Sequence, residues 1–277
     1  MKRIFILCMA LCAMMTGFAQ TDSTKQQKPD TIKIGGMVII REPGSKEDDG
    51  NKHGRNIQIN TRRKSKDANV STNWWIFDIG FSNYNDKTDY TSVAAQTIAP
   101  GSNEDWFKLR TGKSRSVNIW FGMQKLNLAD HVVNLKYGLG LELNNYHFED
   151  RRIEFHKNPT LFSQSYSGLH KNKLAADYLT APIMLNFNFT PKRENNESFG
   201  FSAGISAGLL YSARQKTKDG KVEKTKGDFD LRTWKLSYVG ELTLGPVRLY
   251  GSYAFKPLFE KGLEMTPYNV GFRFSNW

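Results

Sequence analysis

The stretch VNLKYGLGLELN, residues 133–144, decides the fold class of this sequence. Its odd-numbered positions hold Val, Leu, Tyr, Leu, Leu and Leu, whereas its even-numbered positions hold Asn, Lys, Gly, Gly, Glu and Asn. Because successive side chains of a β-strand point to opposite faces, one face of this segment is apolar and the other is polar or small. About ten residues of such alternation are typical of a strand that crosses a membrane in a barrel, and soluble strands are usually shorter.

Seven further segments repeat this alternation. They lie at residues 75–81, 117–124, 179–189, 199–209, 234–242, 247–256 and 268–274. Eight strands are an even number, as a closed antiparallel barrel prefers, and hydrocarbon admits only helices or closed barrels. The sequence therefore predicts an all-β protein, an eight-stranded antiparallel transmembrane β-barrel.

The alternation also predicts two details of the wall. It places Met123 on the lipid face, in phase with Ile119 and Phe121. It places three small residues toward the lumen, where they would leave space for large side chains such as Trp120 or Tyr250. These small residues are Gly200, Gly204 and Gly208.

The connections between the predicted strands alternate in length. Short connections lie at residues 127–130, 191–197 and 245–246. Long polar connections lie at residues 83–114, 149–170 and 213–228, and a modest one lies at 257–264. Outer-membrane barrels have short periplasmic turns and longer outer loops, so we expect the long connections on the cell surface.

The first residues set the compartment. Lys2 and Arg3 precede an apolar run of about twelve residues and a small-x-small cleavage site that ends at Ala19, which is the pattern of a signal peptide. Cys8 and Cys12 both lie inside this segment. We therefore predict a signal peptide at residues 1–19 and a mature chain without a disulfide or a cysteine metal site.

Residues 20–72 are polar and charged, and we predict a disordered periplasmic tail there. The barrel is then expected over residues 73–277. Short Asp-Ser/Thr motifs make Ser23 and Thr31 candidates for O-glycosylation. The basic cluster at residues 62–66 is a solvated linker or, alternatively, a docking segment for acidic envelope partners.

Net charge narrows the expected partners. The chain has 39 Lys and Arg residues against 27 Asp and Glu residues, and removal of Lys2 and Arg3 leaves 37 − 27 = +10. Export argues against nucleic acid, so outer-membrane lipid and lipopolysaccharide are the expected anionic partners, and solvated loop surface is the alternative. We also expect a monomer whose outer loops or periplasmic tail contact envelope proteins.

Charged residues on the lumen side of the strands are the candidate site. They are Asp78, Lys136, Glu142, Lys235, Glu241, Arg248 and Arg273. Side chains fill the interior of an eight-stranded barrel, and a buried charge without a partner is costly. Because closure sets the first and last strands side by side, we expect Asp78 to pair with Arg273, and the turn at 245–246 brings Glu241 near Arg248. We predict structural pairs rather than catalytic groups.

An enzyme is the competing interpretation of the outer rim. A nucleophilic serine needs a histidine within hydrogen-bond reach and an orienting acid. The candidates are His147 with Glu149, and Ser163, Ser165, Ser167 and His170. No predicted strand holds a His-x-Ser pair, the five histidines are scattered, and no glycine-rich phosphate cradle occurs. We predict no catalytic residue, no cofactor and no metal site.

A family resemblance rests on several stretches. They are GLGLELNNYHFED (138–150), KNKLAADYLTAPIMLNFNF (171–189), FGFSAGISAGLLYSARQKTK (199–218), LYGSYAFKPLFEKG (249–262) and PYNVGFRF (267–274). The sequence resembles the PorT-like outer-membrane β-barrel domain family of the Bacteroidota over roughly residues 73–274, most recognisably at residues 178–183. The resemblance implies an eight-stranded barrel in the cell outer membrane. It does not carry over the role of the family's namesake in protein secretion and gliding.

Three function classes follow. We predict a non-enzymatic structural or interaction protein of the cell envelope. The alternatives are a component of a protein-secretion or gliding machine, and a small channel or a lipid hydrolase at the rim.

Overall fold

A computed structural model describes residues 30–34, 37–41, 68–165, 170–191 and 197–275. The chain divides into two units, Met1–Asp67 and Ala68–Trp277. In the first unit, β1 (Asp30–Ile34) pairs antiparallel with β2 (Met37–Arg41). This pair includes the apolar, β-branched run at 38–40, which favours a strand, and the other residues of the predicted tail before residue 68 lie outside the described residues.

The remaining expectations for the first 67 residues gain no structural description. The predicted signal peptide, Ser23 and the basic cluster at 62–66 lie outside the described residues. Thr31 lies within β1, opposite Ile40.

The second unit contains eleven strands and one helix among its described residues. In chain order they are β3 (Val70–Asp86), α1 (Val93–Ile98), β4 (Arg115–Ala129), β5 (Val133–His147), β6 (Ile153–His156), β7 (Leu161–Gln164), β8 (Lys171–Asn188), β9 (Phe199–Asp219), β10 (Lys221–Lys226), β11 (Trp234–Leu244), β12 (Val247–Ala254) and β13 (Met265–Phe274). Within the described part of the chain, no helix has the length and apolar composition needed to cross a membrane.

Eight of these strands close into a ring. The antiparallel order is β3–β4–β5–β8–β9–β11–β12–β13, and β13 pairs back onto β3. Each segment that the sequence predicts as a strand forms one strand of the ring. The predicted eight-stranded barrel is therefore confirmed.

The long connections carry more structure than their polar composition suggests. β3 and β9 continue well beyond the predicted segments, to Asp86 and Asp219. The β6–β7 hairpin and helix α1 lie within two of the long connections, and β10 extends β9 as a hairpin. At the other end, β3 begins at Val70, three residues before the predicted start of the barrel.

Within the predicted segments, the facing of the strands follows the predicted alternation except at a bulge in β4, and a further register shift, between β8 and β9 at Tyr211, lies beyond the predicted segment 199–209. Leu139 is 39% exposed, whereas Lys136 of the same strand is 2% exposed. Met123 is fully buried in the lumen, so the prediction that it faces lipid is wrong. The pairing of β4 with β5 shifts between Trp120 and Gly122. A β-bulge inserts one extra residue, and this reverses the facing of every residue that follows.

The rings of Trp120 and Tyr250 in the lumen pack against different glycines from those predicted. A Cβ atom at Gly140 would lie 2.7 Å from the Trp120 ring, and one at Gly271 would lie 2.8 Å from the Tyr250 ring. A Cβ atom at Gly204 would instead collide with the backbone of β8. The predicted role of Gly200 and Gly204 is therefore wrong, because the backbone of β8 approaches β9 too closely there, whereas Gly208 lies against the side chains of Thr180 and Tyr178 rather than Trp120 or Tyr250.

Candidate functional site

The seam between the first and last strands of the ring holds a buried ion pair. Asp78 and Arg273 are directly opposite each other in the β3–β13 register. Arg273 donates from Nε to Asp78 Oδ1 at 2.7 Å and from Nη2 to Asp78 Oδ2 at 2.8 Å. Asn118 and the indole of Trp120 also donate to this carboxylate. The structure thus brings together the pair expected from closure, in the bidentate geometry that makes Arg–carboxylate pairs strong.

A second carboxylate joins two cations deeper in the barrel. Glu241 of β11 accepts from Lys136 Nζ at 2.8 and 2.9 Å and from Arg273 Nη1 at 2.6 Å. All three side chains are at most 5% exposed. Asp78, Arg273, Glu241 and Lys136 therefore form one continuous chain of charges across the lumen.

A third carboxylate, Glu142 of β5, lies among polar side chains. It accepts from Lys235 of β11, from Asn144 at 3.0 Å and from Asn269 at 2.9 Å. The ammonium of Lys235 also lies 4.6 Å from the centre of the Tyr178 ring. Both the carboxylate and the ammonium of the Lys235–Glu142 pair therefore have further contacts within the protein.

Arg248 lies diagonally across the β11–β12 pair from Glu241, as the turn at 245–246 predicts, but the two side chains form no ion pair. Its guanidinium donates to the carbonyl and the hydroxyl oxygen of Ser275, beyond the end of β13. Glu241 instead binds Lys136 and Arg273, which reach it from other strands of the ring. Strand parity correctly placed Arg248 inside the barrel, but parity alone does not select partners across the lumen.

The six paired charges balance one another and do not favour catalysis, and Arg248, bonded to Ser275, is a further buried cation of the lumen. Three cations face three carboxylates, and these six side chains are Lys136, Lys235, Arg273, Asp78, Glu142 and Glu241. Every one of them is at most 7% exposed. A nucleophile or general base must reach a substrate, whereas these groups are occupied by one another. The described residues also contain no group of three or more metal-ligating side chains placed to bind an ion.

The outer mouth of the barrel is closed by an aromatic cluster, here called the outer cap. Phe162 of β7 is fully buried at its centre. Its ring centroid lies 5.5 Å from Phe107, 4.7 Å from Phe155 and 5.4 Å from Phe259, and Phe155 lies 5.4 Å from Phe229. These contacts are edge-to-face, which aromatic rings prefer. Each of the four outer connections contributes at least one of these rings.

Backbone and hydroxyl bonds hold the outer cap in place. Single β-bridges join Leu109 to Phe148 and Leu231 to Phe259. The hydroxyl of Tyr90 donates to Asp86 at 2.6 Å, and Ser92 caps the start of α1 by accepting from the Ala95 amide. Burial and the neighbouring Asp86 carboxylate raise the pKa of Tyr90, so its hydroxyl stays a donor.

Sequence reasoning missed the outer cap. The connections that form it are polar in composition, and their apolar residues show no strand periodicity. The available signal was single aromatic residues spaced through polar loops, as at Phe155 and Phe162, seven residues apart. Such residues need a nonlocal partner to be buried, and one loop alone does not reveal it.

Among the described residues, the rim candidates for catalysis form no Ser–His–acid arrangement. His147 lies at the end of β5, opposite Lys173. A Ser–His contact does occur elsewhere, because His156 Nε2 lies 2.7 Å from Ser163 Oγ across the β6–β7 hairpin. Among the described residues, no carboxylate is hydrogen-bonded to His156, so an orienting acid is missing from this exposed pair. Ser167 lies outside the described residues.

Comparison with known proteins gives a family and a set of solved structures. Residues 79–260 match the family model described as outer membrane protein beta-barrel domain. The chain is similar to two crystal structures of Ail, the attachment invasion locus protein of Yersinia pestis. One has 14% identity and a TM-score of 0.28, covering 73% of this chain and 97% of Ail. The other, in complex with the heparin analogue sucrose octasulfate, has 13% identity and a TM-score of 0.29, covering 73% and 99%. No curated protein matches.

The closed ring of eight strands carries its large apolar side chains outward and its charges inward, as a barrel in the outer membrane requires. The family match spans most of this ring. The chain therefore belongs to the outer membrane protein β-barrel domain family.

Proposed function

We propose that this protein is a non-enzymatic structural or interaction protein of the cell envelope, a barrel without an aqueous path that presents its outer cap at the cell surface. The filled lumen carries this proposal. A channel needs continuous space along the axis, whereas this lumen holds interlocking side chains at several levels.

Three groups of side chains supply the filling. The paired charges cross the interior of the strands, and the outer cap closes the mouth. A further cluster of buried side chains lies in the lumen and consists of Ile76, Trp120, Met123 and Met184. The eight-stranded ring leaves an interior just wide enough for side chains of this size.

The outer cap supports the interaction part of the proposal. Aromatic packing between four connections gives the loops a fixed arrangement, and a rigid surface binds partners at a lower entropic cost than mobile loops do. A role in a protein-secretion or gliding machine, and membership of the PorT-like branch, stay predictions from the sequence resemblance.

Single-channel recording tests the absence of an aqueous path. The mature protein is reconstituted in a planar bilayer, and a conducting porin in the same lipid is the control. We expect no steady conductance from this protein. A stable open level in most insertions would contradict the proposal and favour a channel.

Lipid hydrolysis is tested separately. The mature protein is incubated with phospholipid and lipid A, and released fatty acid is measured for the native chain and for Ser163→Ala. We expect no release from either. Release by the native chain alone would establish a hydrolase at the rim.

A further inference from the structure

A wall of cations stands on the outer side of the barrel, where β8, β9 and β10 extend toward the cell surface. Alternate residues of a strand share one face, and directly paired residues of neighbouring strands share it too. The β8–β9 register shifts by one residue at Tyr211, so the even-numbered residues of β9 beyond it share a face with the odd-numbered residues of β8. Seven basic residues therefore fall on the exterior face, and we call them the basic wall. They are Lys171, Lys173, Arg214, Lys216, Lys218, Lys224 and Lys226.

Three lysines stand in one row across this wall. Lys216 of β9 is directly opposite Lys224 of β10 on one side and Lys173 of β8 on the other. Lys173 is in turn opposite His147 of β5. Neighbouring rows repeat the pattern, because Lys226 faces Arg214 and Lys218 faces Lys171.

Little negative charge on the same face offsets these cations. In the described residues of β8, β9 and β10, Asp177 is the one acidic residue in phase with them, and it pairs with Arg214 at 2.5 Å. Asp219 and Glu223 are out of phase and share the opposite face with Thr217. Among the described residues, none of the other six cations forms an ion pair with a carboxylate, and Lys173 donates to the amide oxygen of Asn145 at 2.6 Å.

Such a row of lysines destabilises the sheet by charge repulsion, and folding alone gives no reason to have it. Like charges directly opposite each other in a sheet are destabilising. Lysines on an edge strand are a known protection against unwanted strand pairing, and this could account for Lys224 and Lys226. It does not account for Lys173 and Lys216, because β8 and β9 are paired on both sides. An anionic ligand outside the chain would offset the repulsion.

The height of the wall identifies the anion. The lipid-facing row of Leu179, Leu209 and Trp234 lies below it, and Tyr211 stands between them, 52% exposed. Tyrosine rings at this level are typical of the membrane interface. Arg214 follows Tyr211 by three residues, about 10 Å along the strand, and Lys216 by about 17 Å. The cations therefore begin at the level of lipid phosphates and continue outward from it.

We propose that the basic wall binds the phosphate groups of a multiply phosphorylated lipid of the outer leaflet, of the lipid A class. A lipid with more than one phosphate matches cations in successive rows, and its acyl chains match the apolar surface below. Basic clusters next to an apolar span attract anionic headgroups by the same physics. This inference goes beyond the filled lumen, which it neither requires nor tests.

Calorimetric titration of the mature protein in zwitterionic detergent tests the inference. Diphosphoryl lipid A is the ligand, and fully dephosphorylated lipid A with the same acyl chains is the matched ligand control. The wall variant carries Lys173→Gln, Lys216→Gln and Lys224→Gln. The control variant removes the same charge on the opposite side of the ring, by Lys87→Gln, Lys256→Gln and Lys261→Gln, all at exposed positions.

We expect the native protein and the control variant to bind diphosphoryl lipid A within twofold of each other, and the wall variant to bind at least tenfold more weakly. Binding should weaken in 0.5 M salt, because exposed charges are screened. Without lipid, the wall variant should melt at a temperature equal to or above that of the native protein, since repulsion is removed.

Four results would overturn the inference. The wall variant could bind like the native protein, or dephosphorylated lipid A could bind as tightly as the phosphorylated form, which would make the contact purely apolar. A soluble heparin fragment could also bind more tightly than lipid A, which would identify a soluble polyanion as the occupant. A wall variant that melts well below the native protein would show that the lysines serve folding instead.

Discussion

The lumen between the eight strands and the outer cap at its mouth are both filled with buried side chains, but of opposite kinds. In the strands, charged side chains such as Asp78 and Arg273 are buried because each has a partner across the lumen. In the cap, apolar rings such as Phe162 and Phe107 are buried because four loops converge. The alternation along each strand therefore decides which side chains face the lumen. The packing of the loops depends instead on contacts between residues that are far apart in the sequence.

Removal of one carboxylate from the lumen should produce the largest effect. Glu241→Gln leaves Lys136 and Arg273 without the charge that they share, and breaking a buried ion pair costs about 3–5 kcal/mol. Urea titration measures this loss as a change in the free energy of unfolding. The gel mobility of unheated samples reports the folded fraction at each urea concentration. Glu260→Gln, at an exposed position, is the control and should change little. Equal stability of the two variants would show that the lumen charges are solvated.

The lipid-facing wall encloses both regions and gives the next largest effect. Leu139→Arg places a charge toward lipid and should cost about 2–4 kcal/mol near the bilayer midplane. The same substitution at Val93, which is 84% exposed on α1, should be tolerated. The yield of the heat-sensitive compact form on gels compares the two variants. Equal yields would invert our assignment of the faces.

A smaller change should separate the outer cap from the barrel. Phe162→Leu removes the central ring of the cap, keeps an apolar side chain and should cost about 2 kcal/mol, less than the roughly 3–5 kcal/mol of a Phe→Ala change. Because the ring of strands is untouched, we expect faster trypsin cleavage of the outer loops and an unchanged gel shift. Phe274→Leu, at a lipid-facing position, is the matched control and should leave cleavage rates unchanged. A lost gel shift in Phe162→Leu would show that cap and barrel fold as one unit.

The smallest expected effect is confined to one edge of the cap. Ser92→Ala removes the hydroxyl that accepts from the Ala95 amide, and such a change costs about 1 kcal/mol of helix stability. Amide exchange within α1 should quicken, while exchange in the barrel strands stays constant. Ser92→Thr retains a capping hydroxyl and should behave like the native chain. Faster exchange throughout the barrel would remove the distinction between the two regions.

Much of the barrel could be predicted from the sequence because its rules are local. The alternation in residues 133–144 fixes the faces of β5, and closure then places Asp78 beside Arg273. Local rules failed where one residue is added, as at the bulge that turns Met123 inward. They also failed to choose among lumen partners, since Glu241 binds Lys136 of β5 rather than Arg248 of the adjacent strand.

The candidate sites outside the lumen depended on contacts that no local pattern encodes. Phe155 and Phe162 lie in polar connections, so their burial follows only from the meeting of four loops. The cations of the basic wall are visible in the sequence as scattered lysines. Their alignment appears only with the registers of β8, β9 and β10, which set Lys173, Lys216 and Lys224 in one row.

Closure of the ring between β3 and β13 is the claim on which the lumen, the pairs and the filled interior depend. Ile79 and Phe272 are direct partners at this seam and both face lipid. A mature chain that starts at Gln20 has no cysteine, so Ile79→Cys with Phe272→Cys provides one defined pair. Opposed strand residues lie within the span that a disulfide requires. We predict that this pair oxidises in the folded protein and raises the mobility of the heated, unreduced chain on gels, whereas Ile79→Cys with Phe274→Cys, two residues out of register, does not. Equal crosslinking of both pairs, or of neither, would contradict the closed ring.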